Sequence, residues 1–71
     1  MKLALFDSLI EFKFGVSVVQ YDSYDYYARE SKNDELLKWC RQQFGQNYTA
    51  TFNTFYFKTE EQRNWFVLRW S

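Results

Sequence analysis

Apolar and polar residues alternate between Leu9 and Val19: Ile10, Phe12, Phe14, Val16 and Val18 stand against Glu11, Lys13, Gly15 and Ser17. Period-two alternation predicts a β-strand with one apolar face. Val and Phe suit a strand. Gly15, in its middle, predicts a bulge, a bend or a close backbone approach, which would divide the strand into two shorter segments.

Residues 20–32 carry no such pattern. Tyr21, Tyr24, Tyr26 and Tyr27 are interleaved with Asp22, Asp25, Glu30, Arg29 and Lys32. The reading adopted is a tight turn at Asp22-Ser23 followed by a second strand from Tyr24 to Arg29. The competing reading is an irregular loop leading into a helix.

From residue 34 to 44 the spacing changes to that of a helix. Leu36, Leu37, Cys40 and Phe44 fall on one stripe with Trp39 at its margin. Asn33 is the expected N-cap, Asp34 and Glu35 sit where the helix dipole favours negative charge, and Gly45 is the expected left-handed stop. Lys38, Arg41 and Gln42 would face water.

Thr and aromatic residues dominate residues 48–58, which read as one long strand with rings on both faces. Thr59-Glu60-Glu61-Gln62 is a capping-box sequence and predicts a second helix ending near Arg69. Its apolar residues (Trp65, Phe66, Val67, Leu68 and Trp70) surround the axis. As a strand, Phe66, Leu68 and Trp70 would share one face. The cap favours the helix. A helix apolar all round must bury two faces, and the second could meet another chain.

The element order is then strand, hairpin, helix, strand, helix. It predicts one small two-layer α+β domain over residues 1–71, with helices on one face of a mainly antiparallel sheet.

Composition narrows the chemistry. Eight Phe, six Tyr and three Trp occur in 71 residues, beside no His, no Pro and one Cys. Rings of this size can build a core in a short chain, and so many cannot all be hidden. Without His, the usual general base near neutral pH is missing, as are Cys–His and Ser–His pairs and His/Cys zinc sites. Cys40 lies on the apolar stripe of a helix and reads as an inert buried thiol. The acidic pairs Asp34/Glu35 and Glu60/Glu61 occupy helix starts, and Asp22/Asp25 lies among the tyrosines. Two glycines cannot make a phosphate-binding loop. The expectation is a protein that is not an enzyme and takes no cofactor or metal.

A single Cys excludes an intramolecular disulfide. The first twelve residues are interrupted by Asp7 and Glu11 and read as mature chain. No apolar run is long enough to span a membrane. A cytoplasmic location follows as the expectation. Net charge is zero, which argues against a duplex-DNA binder. Residues 1–37 hold four Lys/Arg and seven Asp/Glu, and residues 38–71 hold five and two, so the halves should attract each other.

Surface contact remains as the working role. Tyr, Trp and Arg are the side chains favoured at binding hot spots. The candidate partner-binding residues are Tyr24, Tyr26 and Tyr27, with Trp70 and its neighbour Arg69 as a second patch; Trp65 and Phe66 are expected in the core. The partner would be another protein or a second copy of the chain. The rival reading is single-strand nucleic-acid binding, with Tyr48, Phe55, Tyr56 and Phe57 stacking bases near Lys13 and Lys58.

Leu37-Lys38-Trp39-Cys40, Phe55-Tyr56-Phe57-Lys58, Glu60-Glu61 and Phe66-Val67-Leu68-Arg69-Trp70 together resemble small uncharacterised proteins of tailed bacteriophages. The resemblance spans residues 36–71. It implies a phage accessory protein that binds and modulates a host protein in the host cytoplasm, or else a minor virion subunit. It brings no catalytic residues.

Overall fold

In the computed structural model, which describes all of Met1–Ser71, the chain runs β1 (Lys2–Asp7), β2 (Phe14–Gln20), α1 (Tyr26–Phe44), β3 (Tyr48–Thr51), β4 (Thr54–Phe57) and α2 (Glu60–Trp70). The strands form one sheet in the order β1-β2-β4-β3, and every neighbouring pair is antiparallel. Two hairpins are thus joined through β2 and β4, in the register Phe14↔Phe57 and Val16↔Phe55. This is the expected α+β architecture.

Alternation along the strands decides which side is covered. Val16 and Val18 of β2 and Phe55 and Phe57 of β4 point to one face, where they meet Leu36 and Cys40 of α1 and Phe66 and Trp70 of α2. The Phe66 ring lies 5.0 Å from that of Phe55 and 5.6 Å from that of Phe57, centroid to centroid. Trp39 meets Trp70 edge-on at 6.1 Å, tying the two helices together. Burying side chains of this size contributes about 1.5–3 kcal/mol each. Three Phe with no exposed surface therefore supply much of what holds so short a chain together.

Arg63 of α2 reaches β1. Its Nη1 donates to the Phe6 carbonyl at 3.0 Å and lies 3.5 Å from Asp7 Oδ1, while the guanidinium sits 5.2 Å from the Phe14 ring centroid. This ion pair joins the acidic half of the chain to the basic half.

Several expected elements are different. The first strand is shorter than expected and is not divided at Gly15: residues 9–12 bend, with Leu9, Ile10 and Glu11 exposed, and β2 runs unbroken from Phe14. Its partner, β1, is built from Lys2–Asp7, where Leu3 and Leu5 alternate with Lys2, Ala4 and Phe6. The hairpin at residues 20–32 is absent. Residues 21–25 are irregular and α1 begins at Tyr26, eight residues before the expected start. Residues 22–31 are all exposed, so a strand there would have had no face to bury.

The cap moves with the helix. Asp25, rather than Asn33, accepts from the Tyr27 N–H at 3.1 Å, and Asn33 instead accepts from the Tyr21 hydroxyl at 2.6 Å. Gly45, at φ 61°, is the stop that was expected. The long strand at 48–58 folds back on itself at Phe52-Asn53 into β3 and β4. The Thr59/Gln62 capping box is present, with Gln62 N–H donating to Thr59 Oγ1 at 3.2 Å and Gln62 Oε1 accepting from the Thr59 N–H at 3.2 Å.

Candidate protein-binding surface

Tyr24, Tyr26 and Tyr27 stand together at the start of α1, 93%, 62% and 77% exposed. The cap that fixes this helix end also fixes its rings, because Asp25 holds the first turn and so sets the directions of Tyr26 and Tyr27. These two rings meet edge-on at 5.6 Å. The Tyr26 hydroxyl donates to Glu30 Oε1 at 2.7 Å, one turn along, and that bond together with the carboxylate's charge raises the phenol's pKa. Arg29 donates to the Tyr24 carbonyl at 3.0 Å, anchoring the segment before the helix.

The sheet adds a fourth ring. The β3–β4 turn carries Phe52 to a position 94% exposed. Tyr21, Tyr26, Arg29 and Glu30 line, with Phe52 and Asn53, a groove of 440 Å³. Asn53 locks the turn against β2: its Nδ2 donates to the Val18 carbonyl at 2.7 Å, and its own carbonyl accepts from the Val18 N–H at 2.9 Å. The turn is therefore held firmly while Phe52 points outward.

Phe52 also has a positive φ of 51°, the only non-glycine residue in the chain to do so. A left-handed backbone costs a residue with a Cβ roughly 1–2 kcal/mol, and Gly or Asn is the usual choice. The ring contributes no burial to offset that cost.

Charge around the rings is one-sided. From Asp22 to Glu35 the acids are Asp22, Asp25, Glu30, Asp34 and Glu35, and the bases are Arg29 and Lys32. Lys32 is engaged by Glu35 at 3.2 Å. The Met1 ammonium, hydrogen-bonded to Asp22, holds that carboxyl below the usual range.

The second expected patch is not formed. Trp70 is 8% exposed and belongs to the core, while Trp65, expected inside, is 52% exposed. The helix phase explains the exchange. Arg63, Phe66 and Trp70 follow at three and four residues and make one buried stripe, and Trp65 lies about 100° away from Phe66. Arg69 is exposed and packs its guanidinium 4.1 Å from the Trp70 ring centroid, with Lys32 at 5.2 Å. It shields the ring that was expected to reach outward.

The strand rings considered for base stacking are also placed differently. Phe55 and Phe57 have no exposed surface, and Tyr48 packs against the core, its hydroxyl 3.4 Å from the Leu37 carbonyl. Tyr56 alone of the four lies on the uncovered face, edge-on to Phe6 at 5.7 Å. Cys40 is buried as expected, and burial pushes its thiol up to about 12.

Sequence reading missed Phe52. The available signal was strand length: eleven residues without a turn exceed the usual strand of about five or six, and Asn53 in their midst is a turn-forming residue.

No protein-family model, curated protein or solved structure matches this chain. No helix is long and apolar enough to cross a membrane.

Proposed function

We propose that the protein is a non-enzymatic binding module that docks another protein on the surface made by Tyr24, Tyr26, Tyr27 and Phe52. The observation that carries this reading is Phe52: a large apolar ring, 94% exposed, kept on a backbone conformation that penalises it. Strain of this kind, with no return in packing, points to a use outside the fold. Tyr26, which lines a groove with it, and Tyr27, edge-on to Tyr26, supply rigid area and hydroxyls at small entropic cost. The acidic surroundings favour a partner whose apolar contact is rimmed by Lys and Arg.

The resemblance to small tailed-phage proteins supports a host protein as that partner, with modulation of its activity as the outcome and the host cytoplasm as the place. Single-strand nucleic-acid binding has less support, because two of its four rings are inside and the tyrosine surface is acidic.

The test uses Tyr26→Ser and Tyr27→Ser together. Both side chains are largely exposed, so the unfolding midpoint should stay within a few degrees, matching about 0.5 kcal/mol for surface changes. Affinity for a captured host protein should fall about a hundredfold or more, as for loss of a binding hot spot. Retained affinity in the folded double variant rejects the surface. Salt-sensitive binding of single-stranded oligonucleotides by the same rings would reject a protein partner.

A further inference from the structure

A second surface lies along the free edge of β1, whose first residue, Lys2, lines a hollow with Met1 and Tyr24. The ladder shows which backbone groups are unpaired there. Val18 bonds to Asn53 across the β2–β4 side, so by alternation Val18, Val16 and Phe14 direct their N–H and C=O groups to β4. Ser17 and Gly15 direct theirs to β1, opposite Ala4 and Phe6, and Ser8 N–H continues the same side by donating to Lys13 O at 2.7 Å. Leu3, Leu5 and Asp7 are left with N–H and C=O groups facing outward.

This edge is longer and barer than the other. β3 has four residues and lies against α1, whereas β1 has six. Residues 3–6 of β1 (Leu, Ala, Leu, Phe) contain no charge and no Pro to discourage pairing. On the helix-covered side, Leu5 is 49% exposed although it is paired with the fully buried Val16. The core therefore stops with an apolar side chain half uncovered at the rim.

We propose that β1 pairs antiparallel with β1 of a second copy of this chain, joining two sheets into one of eight strands. Continuity of the core limits the register. Both copies must keep their helices on the same side, so residues facing each other must share a face. Centring on Ala4 places Leu3 opposite the partner's Leu5 and Leu5 opposite the partner's Leu3, in hydrogen-bonded positions that use the unpaired groups of both.

Ala4 faces its own counterpart, a pair small enough for close approach, and Lys2 lies beside the partner's Phe6 on the uncovered face. Shifting the register by two residues towards the C-terminus would set Leu3 against the partner's Asp7 on the core side, which is unfavourable. The chain is thus complementary to itself in this register, as a two-fold contact requires.

Sedimentation velocity over a wide concentration range, with chemically synthesised chains, tests the pairing. The unmodified chain should sediment as a dimer at high concentration. N-methyl-leucine at position 5 removes only an outward N–H, so it should leave the monomer folded by circular dichroism and raise the dimer dissociation constant about tenfold or more. In the proposed register, Ala4→Cys should cross-link to its counterpart on oxidation, because the Cα atoms of such a non-hydrogen-bonded pair lie about 4.5 Å apart. Leu5→Cys should cross-link far more slowly. A chain that remains monomeric at every concentration overturns the proposal, as does a dimer indifferent to N-methylation at Leu5 or one cross-linked faster through Leu5→Cys.

Discussion

The ring of Phe6 lies against Gly15, its cross-strand partner, and fills the space that a Cβ at Gly15 would need. The glycine in the middle of the alternating segment is thus a seat for an aromatic ring. The same ring then meets Tyr56 edge-on at 5.7 Å, so Phe6, Gly15 and Tyr56 cross three strands on the uncovered face.

A methyl group at Gly15 would displace that ring. Gly15→Ala is expected to cost roughly 1–3 kcal/mol by overpacking, read as a lower midpoint in chemical denaturation. In a Phe6→Ala background the same change should be close to neutral or stabilising, since the obstacle is gone and Ala is the better strand residue. A full penalty in both backgrounds would mean that the backbone, and not the ring, requires glycine.

Phe52→Gly separates stability from binding. Glycine accepts a positive φ freely, so the variant should gain up to about 1 kcal/mol and melt several degrees higher. If Phe52 is a docking ring, partner affinity should drop in the same variant. A more stable protein that binds worse is the outcome expected; a less stable one would show that the ring supports the turn.

Thr59 closes the first turn of α2 by accepting from the Gln62 N–H at 3.2 Å. Thr59→Ala should cost about 1 kcal/mol, a usual loss for an N-cap. Thr59→Ser should restore most of it, as measured by thermal unfolding. Because α2 carries Phe66 and Trp70 into the core, Trp fluorescence should report the same transition as far-UV circular dichroism.

Cys40 makes stability fall in alkali. Its thiol is raised from an ordinary value of 9.0 to about 12 by burial, so the folded state favours the protonated form. The associated stability is complete below about pH 9 and declines as the pH rises from there towards 12. Alkylation at pH 8 should be negligible in the native protein and rapid in denaturant. Cys40→Ala should flatten the dependence on pH in that window while lowering stability at neutral pH, because the cavity remains.

The helix ends show how much of this was local. Gly45 and the Thr59/Gln62 box stop and start helices through bonds that reach at most four residues, so the sequence specifies them directly. The start of α1 was legible in principle, since Asp25 has cap chemistry, but Asn33 has the same chemistry and sits nearer the apolar stripe. The exposure of residues 22–31 argues against a strand there, and Asn33, which could have capped a shorter helix, instead accepts from the Tyr21 hydroxyl twelve residues away.

The candidate surface divides in the same way. Tyr24, Tyr26 and Tyr27 were visible as rings in a polar segment, and their exposure follows from having no apolar periodicity around them. Trp65 and Trp70 exchanged places because helix phase is set by which residue meets Phe55, and a ring of apolar residues around an axis gives no preference of its own.

The sequence alone determined the class of the protein: two layers, the Gly45 stop and the Thr59/Gln62 cap, a buried thiol, an aromatic core and a surface tyrosine segment. All follow from side-chain chemistry and contacts close along the chain. The tertiary structure decided where β1 pairs, where residues 48–58 turn, which tryptophan is buried and that Phe52 stands beside Tyr26. Each of those depends on contacts between residues distant in sequence, whose energies periodicity and composition do not record.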